Sequence, residues 1–246
     1  MDSGMYAACT ALMARTDALD TIANNLANSS TSGFRGRSVS FSSVLAGSGH
    51  HLSSTLNQAT NSYGLLGTSR LDMQPGVLEP TGNNLDVGLE GPGFLSVQTA
   101  HGTAYTRSGN LRLSPEGELV TNSGDPVLGD GGTITIPRGE TVSFGPDGTI
   151  SANGAIVGKL KLVEFSPTAD PQSTGTSYYT ASAKDVVDSP TTKVHQGMLE
   201  GSNVNPIAGV VELINAQRAA EGMRHALSMI DSEIDKTASQ DLPRVS

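Results

Sequence analysis

The residues of this 246-residue chain whose types could do chemistry are glycine-rich loops, a pair of histidines, one thiol and scattered carboxylates. Gly88-Leu89-Glu90-Gly91-Pro92-Gly93 has glycines spaced like those of a phosphate loop. Phosphate cradling needs a helix N-terminus directly behind the loop. Here Phe94-Leu95-Ser96-Val97 follows and is β-prone, so the loop is a turn entering a strand. Gly129-Asp130-Gly131-Gly132 is a turn of the same kind. His50-His51 could supply metal ligands, but adjacent side chains in extended chain point apart, and no acidic or thiol cluster neighbours them in sequence. His101 precedes Gly102 in an expected hairpin turn, His195 and His225 are isolated, and no Gly-x-Ser-x-Gly elbow occurs. Asp125, Asp130 and Asp147 fall among turn residues, where backbone capping accounts for them. Carboxylate pairs for glycoside hydrolysis meet in space, so spacing alone does not reveal them. Cys9, the one cysteine, excludes an intrachain disulfide and a multi-thiolate zinc site. It lies on an apolar helical stripe and is expected to be a small buried hydrophobe. No catalytic, cofactor-binding or metal-binding constellation emerges, and the expectation is a protein that is not an enzyme.

The elements that would position any site are of two kinds. Met5, Leu12, Leu19 and Leu26 recur every seven residues, with Cys9, Thr16 and Ala23 four places after the first three and Ile22 beside them. Some 180 residues later Leu213, Ala220, Leu227 and Ile234 repeat the spacing, with Ala216, Met223 and Ile230 three places after the first three. A seven-residue apolar repeat draws a narrow stripe along a helix, and only another helix buries it well. Helices are therefore expected from about Ser3 to Ala27 and from Pro206 to about Thr237, paired with each other or with neighbouring copies. Between them, from about Pro75 to Pro190, the period changes to two. Ile134 and Ile136 alternate with threonines, Leu160 and Leu162 with lysines, and turn signals such as Pro115-Glu116-Gly117, Ser123-Gly124-Asp125 and Pro146-Asp147-Gly148 come at close spacing. That pattern predicts antiparallel hairpins. The expected class is α+β: discontinuous N- and C-terminal heptad helices forming a coiled-coil domain (residues 1–33 plus 204–240), a Ser/Gly-rich connector (34–74), and an inserted all-β domain (75–203).

Composition narrows the function. The formal charge of −9 has no Lys/Arg-rich run to oppose it, which argues against nucleic acid as a partner. Only 36% of residues are hydrophobic and 4% aromatic, which suits an extended molecule with small cores. No apolar stretch approaches a membrane span, so no membrane insertion is expected. Nor does a basic segment precede an apolar one as in a cleaved secretory signal. The chain is expected to stay in the cytoplasm or to leave by a route that reads something else.

Three stretches carry a family resemblance. Asn24-Asn25-Leu26-Ala27-Asn28-Ser29-Ser30-Thr31-Ser32-Gly33-Phe34-Arg35 resembles the N-terminal signature of flagellar axial proteins (rod, hook and hook-associated). Asn84-Leu85-Asp86-Val87-Gly88-Leu89-Glu90-Gly91-Pro92-Gly93-Phe94, then Tyr105-Thr106-Arg107-Ser108-Gly109-Asn110, resembles the start of their β-domain. Leu199-Glu200-Gly201-Ser202-Asn203-Val204-Asn205-Pro206, then Gln217-Arg218-Ala219-Ala220-Glu221, is similar to their C-terminal signature, with Ala220 where many relatives carry an aromatic. Within the family the proximal rod type is most similar, through Met1-Asp2 with Tyr6, Met73-Gln74-Pro75-Gly76 and Gly158-Lys159-Leu160-Lys161-Leu162-Val163; the distal rod type is the runner-up.

The resemblance implies a torque-transmitting structural subunit. Its partners would be copies of itself, other rod proteins and the flagellar type III export apparatus. Export would use no cleaved signal, and the place of assembly would be the periplasmic rod. It also implies that the terminal helices carry assembly, with Asn24, Asn25 and Asn28 as caps or polar contacts between subunits. Gly33 would supply an unusual backbone conformation, and Phe34 an anchor in a neighbour. A secreted β-rich binding protein would explain the Gly/Ser/Thr-rich middle but not matching heptads at both ends. A fused cell-wall hydrolase has no supporting motif.

Overall fold

The computed structural model describes residues 2–39, 69–137, 139–175 and 177–241. His50-His51 therefore lies outside the described residues. The architecture is α+β: helix α1 (Asp2–Ala27) and helix α2 (Pro206–Asp241) flank a β-rich middle. Neither sequence contains an internal proline, and Pro206 opens α2 at the position where a missing N–H costs no hydrogen bond. At 1.5 Å per residue, 26 and 36 residues give helices of about 39 and 54 Å. Two compact units divide the chain: a helical unit (Met1–Leu26, Arg37–Arg70, Pro206–Ser246) and a β unit (Ala27–Gly36, Leu71–Asn205).

In the helical unit, α2 turns one line of residues inward. Gly209 and Ala220 are buried and Leu213, Ala216, Met223 and Leu227 half-buried, a three-four alternation along the helix. A Cβ at Gly209 would stand 3.6 Å from Leu26, which brings the end of α1 against the start of α2. Helix α1 departs from the expected stripe. Among its described side chains the most buried in the helix are Ala11, Ala14 (2% exposed) and Ala18, while Leu12, Leu19, Ile22 and Leu26 are half-buried and Ala23 is exposed. Cys9 is exposed, not buried as expected. One residue is about 100° of helical rotation, so the covered line runs beside the leucines instead of through them. Methyl side chains line it.

In the β unit, six antiparallel strands run in the order Gln172–Thr174, Tyr178–Thr180, Gly102–Thr106, Phe94–Thr99, Leu162–Phe165, Val186–Asp188. A three-stranded meander follows Val142–Phe144, Thr149–Ala152 and Ala155–Lys159. Asn153 (φ 49°) and Gly154 (φ 86°) make its second turn, the two left-handed residues that a two-residue hairpin loop demands. Register decides the cores. Leu95 opposes Leu162 and Phe94 opposes Val163, so successive residues of one strand enter different clusters. Leu95 and Val97 join a large aliphatic core with Val87, Leu119, Ile136 and Ile150. Phe94, Val163 and Tyr179 form a small aromatic one. The ends of the expected connector are strands: Arg37–Val39 pairs with Ser69–Leu71.

Candidate functional site

Three segments far apart in sequence meet in the β unit around one buried carboxylate. Glu200 ends the strand Met198–Glu200, which pairs with Leu78–Pro80. Its Oε1 lies 2.7 Å from Arg35 Nη2 and its Oε2 3.0 Å from Arg107 Nη1, and all three side chains are 1% exposed. Gly76 N–H donates to Glu200 Oε1 at 2.8 Å, and Gly33 N–H donates to the Glu200 carbonyl at 2.7 Å. The guanidiniums also hold main chain. Arg107 donates to the carbonyls of Leu89 (3.2 Å) and Gly91, and Arg35 to that of Gln74. Arg107 Cζ sits 5.0 Å from the Phe94 ring centroid, close enough for a cation–π contact. Tyr179 Oη accepts the Arg35 N–H at 2.9 Å, and its ring meets Phe94 edge-on.

The electrostatics follow from two cations against one anion out of water. Burial pushes the Arg107 guanidinium down to about 10; Glu200 pulls it back up and Arg35 pushes it further down. Burial also lowers Arg35, with Glu200 opposing, and raises the Tyr179 phenol. Arg35 Nη2 makes no hydrogen bond despite its 2.7 Å approach, nor do Arg35 Nε and Arg107 Nε, so charge attraction holds that contact more than alignment does. Such a cluster has no open coordination or substrate face. It fastens chain.

The glycines around it are where backbones touch. Gly33 has φ +69°, and a Cβ there would strike the main chain of Arg107 and Ser108. A Cβ at Gly76 would strike the Gly201 carbonyl, and one at Gly109 the Val87 carbonyl. Asn203 completes the joint: its Oδ1 accepts the Gly36 N–H at 2.7 Å, and its Nδ2 donates to the carbonyls of Asp72 and Gln74.

The residues singled out from sequence divide accordingly. Gly33, Phe34, Gly93, Phe94 and Asn203 lie in or beside this joint. Phe34 is 4% exposed within its own subunit, which leaves it no ring to offer a neighbour and corrects the anchor role expected of it. Thr192 Oγ1 accepts the Gly93 N–H at 2.8 Å. Asp86 is buried beside Leu85 and Val87, accepting from Thr81 Oγ1 and Asn83 Nδ2. Thr31 Oγ1 donates to Asn28 Oδ1, and Val204 N–H to Ser202 Oγ. In the helical unit Asn25 clasps the main chain of Arg37 at both N–H and carbonyl, whereas Asn24, Ala27, Gln217 and Arg218 are exposed. Side chains of Ile230 and Ile234 lie outside the described residues. Sequence reading quoted Arg35, Arg107 and Glu200 inside its motifs without giving them a role. The available signal was a charged residue embedded in each glycine-rich motif of a weakly charged chain.

The joint therefore unites the same three motifs that carried the resemblance, and comparison with known proteins agrees. A "Flagella basal body rod protein" family matches residues 5–35. A "Flagellar hook protein FlgE/F/G D1 domain" family matches 88–152, and a "Flagellar basal body rod FlgEFG protein C-terminal" family matches 195–239. The flagellar basal-body rod protein FlgF of Salmonella typhimurium is 36% identical, over 95% of this chain and 96% of its own. FlgF of Mesorhizobium japonicum is 34% identical over 98% and 100%. The chain belongs to the flagellar basal-body rod protein family. Rod proteins named FlgG match too, that of Buchnera aphidicola from Acyrthosiphon pisum at 32% identity over 96% of this chain. The buried joint thus sits where the three family motifs meet in the β unit, and the family members matched are structural rod proteins, not enzymes.

Proposed function

We propose that this chain is a structural subunit of the bacterial flagellar basal-body rod, of the proximal type, that stacks through its terminal helices and helps transmit torque from motor to hook. The observation that carries the reading is the Arg35–Glu200–Arg107 joint, in which the N-terminal, β and C-terminal motifs of the rod family close on one carboxylate. The higher identity to FlgF proteins, 34–36% against 32% for the FlgG of Buchnera aphidicola over similar coverage, supports the proximal type over the distal.

The helical unit supports stacking. Beyond its inward line, α2 leaves Ile207 (78% exposed), Val210, Val211 and Ile214 facing solvent, at steps of three, one and three residues. Apolar residues at that spacing form a second stripe, and exposed apolar stripes mark association surfaces. The inward line holding Leu213, Ala216, Met223 and Leu227 would then join the subunit's own helices, and the outer stripe would meet neighbours in a heterologous, propagating contact. Neighbouring copies, other rod proteins and the type III export apparatus are the proposed partners. Assembly between the two membranes without a cleaved signal is the proposed route. No described helix is long and apolar enough to cross a membrane.

Electron microscopy of basal bodies from a strain lacking this coding sequence tests the reading. Rods that stop short and carry no hook are expected, and the height of the stop separates proximal from distal types. Complete rods and hooks would overturn it.

A further inference from the structure

A second polar feature of the β unit lies apart from the buried joint. A cleft of about 220 Å³ opens between residues 31–32, 108–110, 121–123 and 177–178. Its walls are hydroxyls, carboxamides and one phenol. We propose that this cleft binds a single neutral sugar residue.

The walls are fixed before any ligand arrives. Tyr178 Oη donates to Asp125 Oδ2 at 2.7 Å and stands 2.7 Å from Thr121 Oγ1. The turn beneath is closed by Thr121 N–H to the Asp125 carbonyl and Gly124 N–H to the Thr121 carbonyl. Thr106 Oγ1 ties down the Ser177 carbonyl on the other side at 2.8 Å. Against this frame, Ser32, Ser108, Asn110 and Asn122 line the cleft, and their side chains make no hydrogen bond among the described residues. Each carboxamide presents a donor and an acceptor in one plane, the pattern that neighbouring sugar hydroxyls complement.

Chemistry excludes the other ligand classes. No Lys or Arg lines the cleft, Arg112 beside it spends its Nε–H on the Thr121 carbonyl, and Asp125 stands behind Tyr178, so the walls themselves offer phosphate and carboxylate ligands no cation. The walls are mostly polar, so an apolar ligand would bury little against them. The volume is below that of drug-sized sites and suits one six-membered ring. Affinity should be correspondingly weak, with a Kd of about 1 mM or higher. The proposal is independent of the rod assignment.

The test is two-dimensional amide NMR of the full chain titrated with N,N′-diacetylchitobiose, with maltose, and with inorganic phosphate. Saturable shifts at Ser108, Asn110 and Asn122 with at least one disaccharide and none with phosphate are expected. In the double variant Asn110→Ala/Asn122→Ala, binding should weaken by about tenfold or more while the melting curve is unchanged. A preference for chitobiose would assign an acetamido subsite, and equal response to both sugars a hydroxyl-only one. Three results overturn the proposal: no shift at saturating sugar, shifts that persist in the double variant, or shifts at these amides on raising protein concentration without sugar. The last would show the cleft to be a contact between copies.

Discussion

In the β unit two guanidiniums and a carboxylate are closed from water, and the arginines bond three main-chain carbonyls. In the helical unit the buried side chains among the described residues are the methyls of Ala11, Ala14, Ala18 and Ala220, and the large aliphatics Ile207 and Val211 face solvent. The first region pairs its charges with residues of its own subunit, and its hydrogen bonds to main chain fix the arrangement even though Arg35 Nε and Nη2 and Arg107 Nε make none. The second has only shape and apolar area to work with, and part of that area is left over. The difference separates a region whose charges are paired within one subunit from one that leaves apolar area exposed.

Substitutions that break this contrast rank by expected size. Glu200→Ala leaves two buried guanidiniums facing each other and should destabilise the β unit by about 3–5 kcal/mol. A chemical melt followed by tyrosine fluorescence measures this, and a loss below 1 kcal/mol would mean the charges are hydrated. Gly33→Ala places a Cβ on the main chain of Arg107 and Ser108 at φ +69°. The φ alone should cost about 1–3 kcal/mol, with the clash added. Ala14→Leu sharpens the comparison from the other side. Overpacking the methyl line should cost about 1–3 kcal/mol, read as lost helical circular dichroism with the β unit's melt unmoved.

Val211→Glu should leave monomer stability within about 0.5 kcal/mol yet abolish motility and rod assembly, because it charges only the outer stripe. Wild-type motility in that variant would remove the stripe from the assembly surface. The smallest effect concerns pH. A hydrogen bond from His195, then Lys193, holds the exposed Glu90 carboxyl below the usual carboxylate range. Because that value is depressed in the folded chain, its contribution is present above the ordinary carboxylate range and fades as pH falls through the lower value. His195→Ala should move the Glu90 titration upward, seen by NMR at its carboxyl carbon.

The period change from seven to two was enough to place both helices and the β-rich middle, and Pro206 marked the start of α2. Rotation about α1 was not legible. Leu12, Leu19 and Leu26 dominate any apolar pattern, yet close packing favoured the alanine line one residue away. Cys9 was misplaced for the same reason. The buried joint was half visible. Its motifs stood out, but Arg35 and Glu200 carry ordinary surface residue types, and only their meeting across the fold makes them interior. Tyr179 gave no sequence signal, since its value lies in one hydroxyl and one ring edge contributed from a strand outside every motif.

The joint also has a consequence for time. Arg107 and Glu200 are 93 residues apart, and Gly76 and Glu200 124. Loop closure over such distances makes folding slow. A chain that emerges N-terminus first presents Arg35 and Arg107 long before their carboxylate exists. Until residue 200 arrives both guanidiniums are better off hydrated, so the strand Met198–Glu200 commits the β unit, and a nascent chain stays pliable up to its last fifth.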